Sequence, residues 1–245
     1  MPVSAAGGRD VAPEARPSVD AATVAAKLAA LRERIATAGG DPEVVRIVAV
    51  TKGFGTDAVR AALAAGLYDL GENYAQELLA KAPAGGDARW HFIGPVQRNK
   101  VASLAGYVTL WQSVDRLEVA EAIARRQPGG RVLVQVNSSG EISKHGCRLD
   151  QAPDLVDAGR RLGLDVAGLM TIGPLGPPER ARRGFRDVAA LQRRLGLVEL
   201  SMGMTADLEI AVEEGATMVR IGRALFGARP RTASPATIGS LNGGK

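Results

Sequence analysis

The sequence predicts an α/β protein folded as a single (β/α)8 TIM barrel with one extra helix at the N-terminal end. Three observations predict it. The chain has 245 residues, close to the ~250 typical of one such barrel. Eight short apolar, β-branched runs alternate with helical stretches, the signature of repeated βα units and a parallel sheet. Aromatic residues make up only 4% of the chain, so the core must come from Val, Leu, Ile and Ala, the residues that fill barrel interiors. An open doubly wound sheet is the competing architecture; eight regularly spaced units favour closure.

The elements follow in order. Residues 1–18 are rich in Pro, Gly, Ala and Arg and read as a disordered tail. Asp20 can cap a first helix in which Val24, Leu28, Leu31 and Ile35 recur at helical spacing. Gly39 and Gly40 end it, and the helix is expected to pack across the barrel bottom or side. Strands are predicted at Val44–Thr51, Leu67–Leu70, Arg89–Ile93, Val108–Ser113, Val132–Val136, Leu164–Met170, Val198–Met202 and Thr217–Ile221. The helices between them are predicted at Thr56–Ala64, Tyr74–Lys81, Gln97–Leu104, Asp115–Arg126, Gln151–Leu162, Pro178–Leu195 and Ala206–Glu214, with a last one opening near Arg223. Residues 19–231 thus form one domain, and 232–245, rich in Gly, Ser and Thr, read as a flexible tail.

Composition narrows the function classes. The formal charge is +5, yet the positive residues are scattered and no basic run is interleaved with aromatics that could stack bases. A nucleic-acid partner is therefore not expected. One cysteine, Cys147, and two histidines, His91 and His145, leave no disulfide and no His- or Cys-based metal site. No apolar run approaches the ~20 residues of a membrane span. A cytoplasmic monomer is the expectation.

In such a barrel the working residues sit at the C-terminal ends of the strands. Lys52 follows the apolar run Ile47–Val50, where poor solvation favours the neutral amine that attacks a carbonyl. A solvated lysine just past a strand is the other reading. The loops after strands seven and eight are where barrels often hold phosphate. Here Ser201 to Thr205 offers hydroxyls and backbone amides, Thr205 can cap the following helix, and Gly222-Arg223 opens another whose free N–H groups suit an anion. A reactive lysine beside a phosphate cradle fits pyridoxal 5'-phosphate (PLP) or a sugar phosphate. Arg220 lies inside the last strand; it either donates to a pyridine nitrogen or pairs with Glu72 or Asp115. Glu72 and Asn73 either bind the ligand or hold their loop. His91 reads as a satisfied core histidine, Cys147 as inert, and Trp90 and Trp111 as packing residues.

These rim segments together resemble the pyridoxal phosphate homeostasis proteins (the YggS/PROSC type). The carrying stretches include Ala49-Val50-Thr51-Lys52, Gly71-Glu72-Asn73-Tyr74-Ala75-Gln76-Glu77, Trp90-His91-Phe92-Ile93-Gly94, Gln97-Arg98-Asn99-Lys100, Gln135-Val136-Asn137 and Lys144-His145-Gly146. Leu200-Ser201-Met202-Gly203-Met204-Thr205-Ala206-Asp207 and Val219-Arg220-Ile221-Gly222-Arg223-Ala224-Leu225-Phe226-Gly227 complete the set, so the likeness runs from about Val44 to Arg229. The resemblance implies the barrel of the alanine racemase N-terminal domain (fold type III PLP proteins) and a Schiff base on Lys52. It implies phosphate contacts at Ser201, Thr205, Gly222 and Arg223, and Arg220 at the pyridine nitrogen. It also implies a role in balancing PLP and amino-acid pools, with apo PLP enzymes as possible recipients and no established turnover. The alternative is a PLP-dependent racemase-like enzyme, with Tyr74 or His91 as a second base. Three positions depart from the family pattern. Thr205 stands where Ser is usual, Arg223 where a small residue is usual, and Phe54-Gly55 where a Lys-Pro pair is common.

Overall fold

The computed structural model describes residues 19–141 and 144–228. The tails expected at 1–18 and 232–245 lie outside the described residues. Eight strands form one closed, all-parallel barrel in sequence order: β1 (Arg46–Val50), β2 (Asp69–Glu72), β3 (Arg89–Phe92), β4 (Val108–Val114), β5 (Arg131–Val136), β6 (Asp165–Thr171), β7 (Glu199–Ser201) and β8 (Met218–Ile221). The seam closes through β1 and β8, with Val48 beside Arg220 and Ala49 beside Ile221.

The outer layer is α1 (Ala21–Thr37), α2 (Thr56–Ala64), α3 (Ala75–Lys81), α4 (Arg98–Leu104), α5 (Leu117–Arg126), α6 (Ala152–Arg161), α7 (Arg182–Arg194), α8 (Leu208–Glu213) and α9 (Arg223–Phe226). Asp20 caps α1 as expected, its carboxylate accepting from Thr23 N at 2.8 Å. The four spaced apolar residues Val24, Leu28, Leu31 and Ile35 are its buried face. That face packs on the barrel side, against α2, α8 and α9. One expected helix splits: Pro178–Ala181 is a 3-10 turn and α7 starts only at Arg182.

Two apolar cores result. The larger fills the space between strands and helices and holds Trp90 and Trp111. The smaller lies inside the barrel and consists of Val48, Leu110, Leu133, Ala167, Met170 and Met218. Period-two alternation sends one set of strand side chains outward and the other inward. Gly168 on β6 lets β7 come close: a Cβ there would lie 1.9 Å from Glu199 O.

The lower end of the barrel is laced by charges at the starts of six strands. Arg46 pairs with Glu199, Arg131 with Glu199 and Asp165 at 3.2 and 3.0 Å, and Arg89 with Asp69 at 2.7 Å.

Candidate functional site

Lys52 follows β1 in a four-residue turn, Thr51 to Phe54, closed by Phe54 N donating to Thr51 O at 3.0 Å. Gly53 takes φ +76° at the third position, where a type II turn requires positive φ. This turn is clamped from β2 and α3. Thr51 Oγ1 donates to Glu72 Oε1 at 2.6 Å, Lys81 Nζ donates to Thr51 O at 2.8 Å, and Gly53 N donates to Glu77 Oε2 at 2.7 Å. Lys81 itself is buried and pairs with Glu72 at 2.7 Å and Glu77 at 2.9 Å. Burial pushes the Glu72 carboxyl above its ordinary range, against the pull of Lys81 and Thr51. Glu72 is thus a structural anchor of the lysine turn.

Because β8 pairs with β1, the Gly222 turn stands beside the Lys52 turn. A cavity of about 400 Å³ opens there, lined by Val50, Phe54, Gly222, Arg223 and Gly227. Arg223 is exposed. The close approach at Gly222 is to Val50 O, 3.2 Å from where a Cβ would sit. A second cavity, of about 300 Å³, lies across the mouth and is lined by Asn73, Ile93, Gln135, Asn137, Lys144 and Ile172, among others. Asn73 Oδ1 is buried without a hydrogen-bond partner among the described residues. Its backbone is held by close contact with the loop after β3, where a Gly94 Cβ would lie 2.0 Å from Asn73 O.

Arg220 points into the barrel and is 4% exposed. It pairs with neither Glu72 nor Asp115: those carboxylates are taken by Lys81 and Arg116. Its partners are neutral oxygens, Ser201 Oγ at 2.8 Å and Thr171 O at 2.8 Å. Burial lowers its pKa to about 10, partly countered by the charge of Asp207. A buried cation with no counter-ion in contact among the described residues is costly unless a ligand faces it.

Ser201 lies deeper than its strand-end position suggests, and the capping expected of Thr205 is corrected. Ser201 is fully buried, its hydroxyl donating to Gln112 Oε1 at 2.7 Å while accepting from Arg220. It therefore stands beside Arg220, between that guanidinium and Gln112. Thr205 does not cap α8. It sits in the turn before it, its carbonyl accepting from Arg34 Nη2 at 3.0 Å, and Asp207 is the capping position. Asp207 Oδ1 instead accepts from Met204 N at 2.6 Å.

His91 is a satisfied core histidine as expected, with both ring nitrogens engaged inside the barrel by Asp69 and Gln112. Cys147 is buried, and burial pushes its thiol up to about 12, which suits an inert role. Tyr74 is exposed.

Sequence reasoning missed Lys144 as a site residue. Asn137 organises its loop, accepting from Ser139 N and Gly140 N and donating to Glu141 O and Lys144 O. Lys144 Nζ then reaches Gly173 O at 2.8 Å at the mouth. The only signal in the sequence was the segment Lys144-His145-Gly146, which carries no strand-end cue.

No group of His, Cys, Asp or Glu suited to a metal ion is present among the described residues. No helix among them is long and apolar enough to cross a membrane.

Comparison with known proteins gives a consistent picture. The family model for the alanine racemase N-terminal domain matches residues 19–230. A pyridoxal phosphate homeostasis protein of Pseudomonas aeruginosa is 45% identical over 226 residues, covering 86% of this chain and 96% of that protein. One of Deinococcus radiodurans is 45% identical and covers 83% of this chain and 99% of its own. Among solved structures, PipY of Synechococcus elongatus with PLP bound superposes with a TM-score of 0.71 at 31% identity, covering 83% of this chain and 100% of that one. Alanine racemase of Corynebacterium glutamicum shares the fold, with a TM-score of 0.68 at 18% identity over 86% of this chain and 62% of that one. A closed eight-stranded barrel, a lysine turn beside the β8 turn, and these likenesses over nearly its whole folded length place the chain in the alanine racemase N-terminal domain family, among the pyridoxal phosphate homeostasis proteins.

Proposed function

We propose that this chain binds PLP at the barrel mouth, holds it as a Schiff base on Lys52, and serves as a reversible carrier in cytoplasmic PLP and amino-acid homeostasis. The observation that carries the reading is Arg220, a buried guanidinium without a carboxylate partner among the described residues, on the strand paired with the Lys52 strand. The names of the relatives and the PLP-bound PipY structure support it.

The residues present fit the group. Lys52 would supply the amine for the Schiff base. Arg220, a permanent donor, suits an unprotonated pyridine nitrogen. Arg223 and the amides at Gly222 suit a phosphate; Thr205, expected there too, is not on that cavity's lining among the described residues. Asn73 Oδ1 offers an acceptor to the ring hydroxyl. When bound, PLP supplies an aldehyde for amines and an electron-withdrawing ring, and a guanidinium at the nitrogen weakens that ring as an electron sink. The donor set therefore argues for holding over broad catalysis, and apo PLP enzymes are the natural recipients.

The test is an absorbance spectrum of the purified protein after PLP addition, before and after borohydride, beside Lys52→Ala. A visible band, lost in the variant and fixed to the Lys52 peptide by reduction, is the expected result. A protein that takes up no PLP sinks the reading, and sugar phosphates become the ligands to try at the same mouth.

A further inference from the structure

The barrel interior holds a polar column that the proposed binding of PLP does not use below Arg220. We infer that Asp69, His91 and Gln112 are positioning residues that act through Ser201 to hold the Arg220 guanidinium in one orientation at the barrel mouth. The inference deepens the PLP reading, but its first arm below is measured without the cofactor.

The column crosses the barrel from floor to rim through four strands before reaching β8. Arg89 clamps Asp69 on β2 from Nε and Nη2 at 2.9 and 2.7 Å. His91 Nε2 on β3 lies 3.0 Å from Asp69 Oδ1, and His91 Nδ1 lies 2.7 Å from Gln112 Nε2 on β4. Gln112 Oε1 accepts from Ser201 on β7 at 2.7 Å, and Ser201 Oγ accepts from Arg220 Nη1 at 2.8 Å. Asp69, His91, Gln112, Ser201 and Arg220 are each no more than 7% exposed.

The two ends dictate every proton in between. A guanidinium only donates, so Ser201 Oγ must accept from Arg220 and turn its own proton to Gln112 Oε1. That orients the amide, and Gln112 Nε2 then faces His91 Nδ1. Met218 Sδ, an acceptor 3.0 Å from the same Nε2, selects the same orientation. His91 Nδ1 must therefore accept, and its proton sits on Nε2, donating to Asp69. Asp69 can only accept while ionised. Burial pushes its carboxyl up, but hydrogen bonds from Arg89 and His91 outweigh this and hold it well below the usual carboxylate range. One permanent donor above and one permanent acceptor below leave a single consistent arrangement.

Packing alone does not require this. Neighbouring interior positions carry Val48, Leu110, Leu133 and Ala167, and an apolar column of like volume would serve stability as well. A fully satisfied polar chain instead specifies one geometry at its end. The Thr171 carbonyl fixes Nη2 of Arg220; the column fixes Nη1.

The test compares His91→Phe, His91→Gln and Gln112→Met with Leu133→Ala, a barrel-interior change off the column. In ligand-free protein, the Arg220 Nε–Hε resonance, assigned by its loss in Arg220→Lys, reports the guanidinium. We expect it to shift or broaden in His91→Phe and Gln112→Met and to return toward wild type in His91→Gln, which can still donate and accept. Leu133→Ala should lower Tm without moving it. In the second arm, added PLP should show a displaced visible band in the same two variants. If His91→Phe does not fold, Gln112→Met carries the comparison. An unmoved Arg220 resonance in a folded column variant overturns the inference, as does an equal movement in Leu133→Ala. Failure of PLP to bind any of the proteins would instead strike the functional reading, leaving the resonance result to stand alone.

Discussion

Lys81 shows how much of the Lys52 turn depends on a buried side chain outside it. Its ammonium is buried against Glu72 and donates to Thr51 O, one residue before Lys52. Removing one member of a buried pair leaves the other uncompensated, at a cost of about 3 kcal/mol or more. Lys81→Met should therefore lower the unfolding free energy by about that amount, seen as a lower urea midpoint, and loosen the turn, weakening PLP uptake. An unchanged midpoint would show that Glu72 finds another partner. Residue identity was only partly legible from sequence. Lys52 and Arg220 stood out because strand ends and inward charges follow from periodicity. The depth of Ser201 was not legible, because hydroxyls near a Gly turn look alike whether they face the mouth or a buried guanidinium. What decides between them is Gln112, 89 residues away, and no local pattern reports such a pairing.

Among the elements, α1 lies outside the eight-fold repeat yet backs the part of the ring that frames the Gly222 turn. Its buried face touches α8 and α9, and Arg34 ties it to Glu209 and to Thr205 O. Leu31→Ala should cost about 3 kcal/mol, within the 2–5 usual for buried Leu truncation. Thermal unfolding should show the loss, with a parallel rise in the PLP dissociation constant if α9 loosens. A loss of stability with PLP affinity intact would confine α1 to a structural part. Its cap and apolar spacing were readable from Asp20 and Val24 onward, because both are local signals. The start of α7 was not: Pro177 and Pro178 allow a 3-10 turn before the helix proper, and apolar periodicity does not distinguish the two.

For the molecule as a whole, closure was inferable from eight alternating units, whereas the seam register, Val48 with Arg220, joins chain positions too far apart for any pattern to specify. Acid sensitivity is a property at this scale, since Asp69 ties β2 to β3 at the floor. Its pKa is depressed on folding, so its stabilisation is fully present above the unfolded value of about 3.9. It is lost as pH falls through the folded value. Glu72, raised by burial, acts in the opposite sense. Wild-type urea midpoints should decline on acidification from about pH 5, and Asp69→Asn should flatten that slope while starting lower. A slope unaltered in the variant would assign acid loss to other carboxylates. The floor has one more consequence. Strand-start charges and the plug of Val48, Leu110, Leu133 and Met218 seal the lower end, so the barrel is a cul-de-sac. Whatever binds at the mouth must leave by that mouth, so on the proposed carrier reading a recipient would have to approach the same rim by which the next ligand enters.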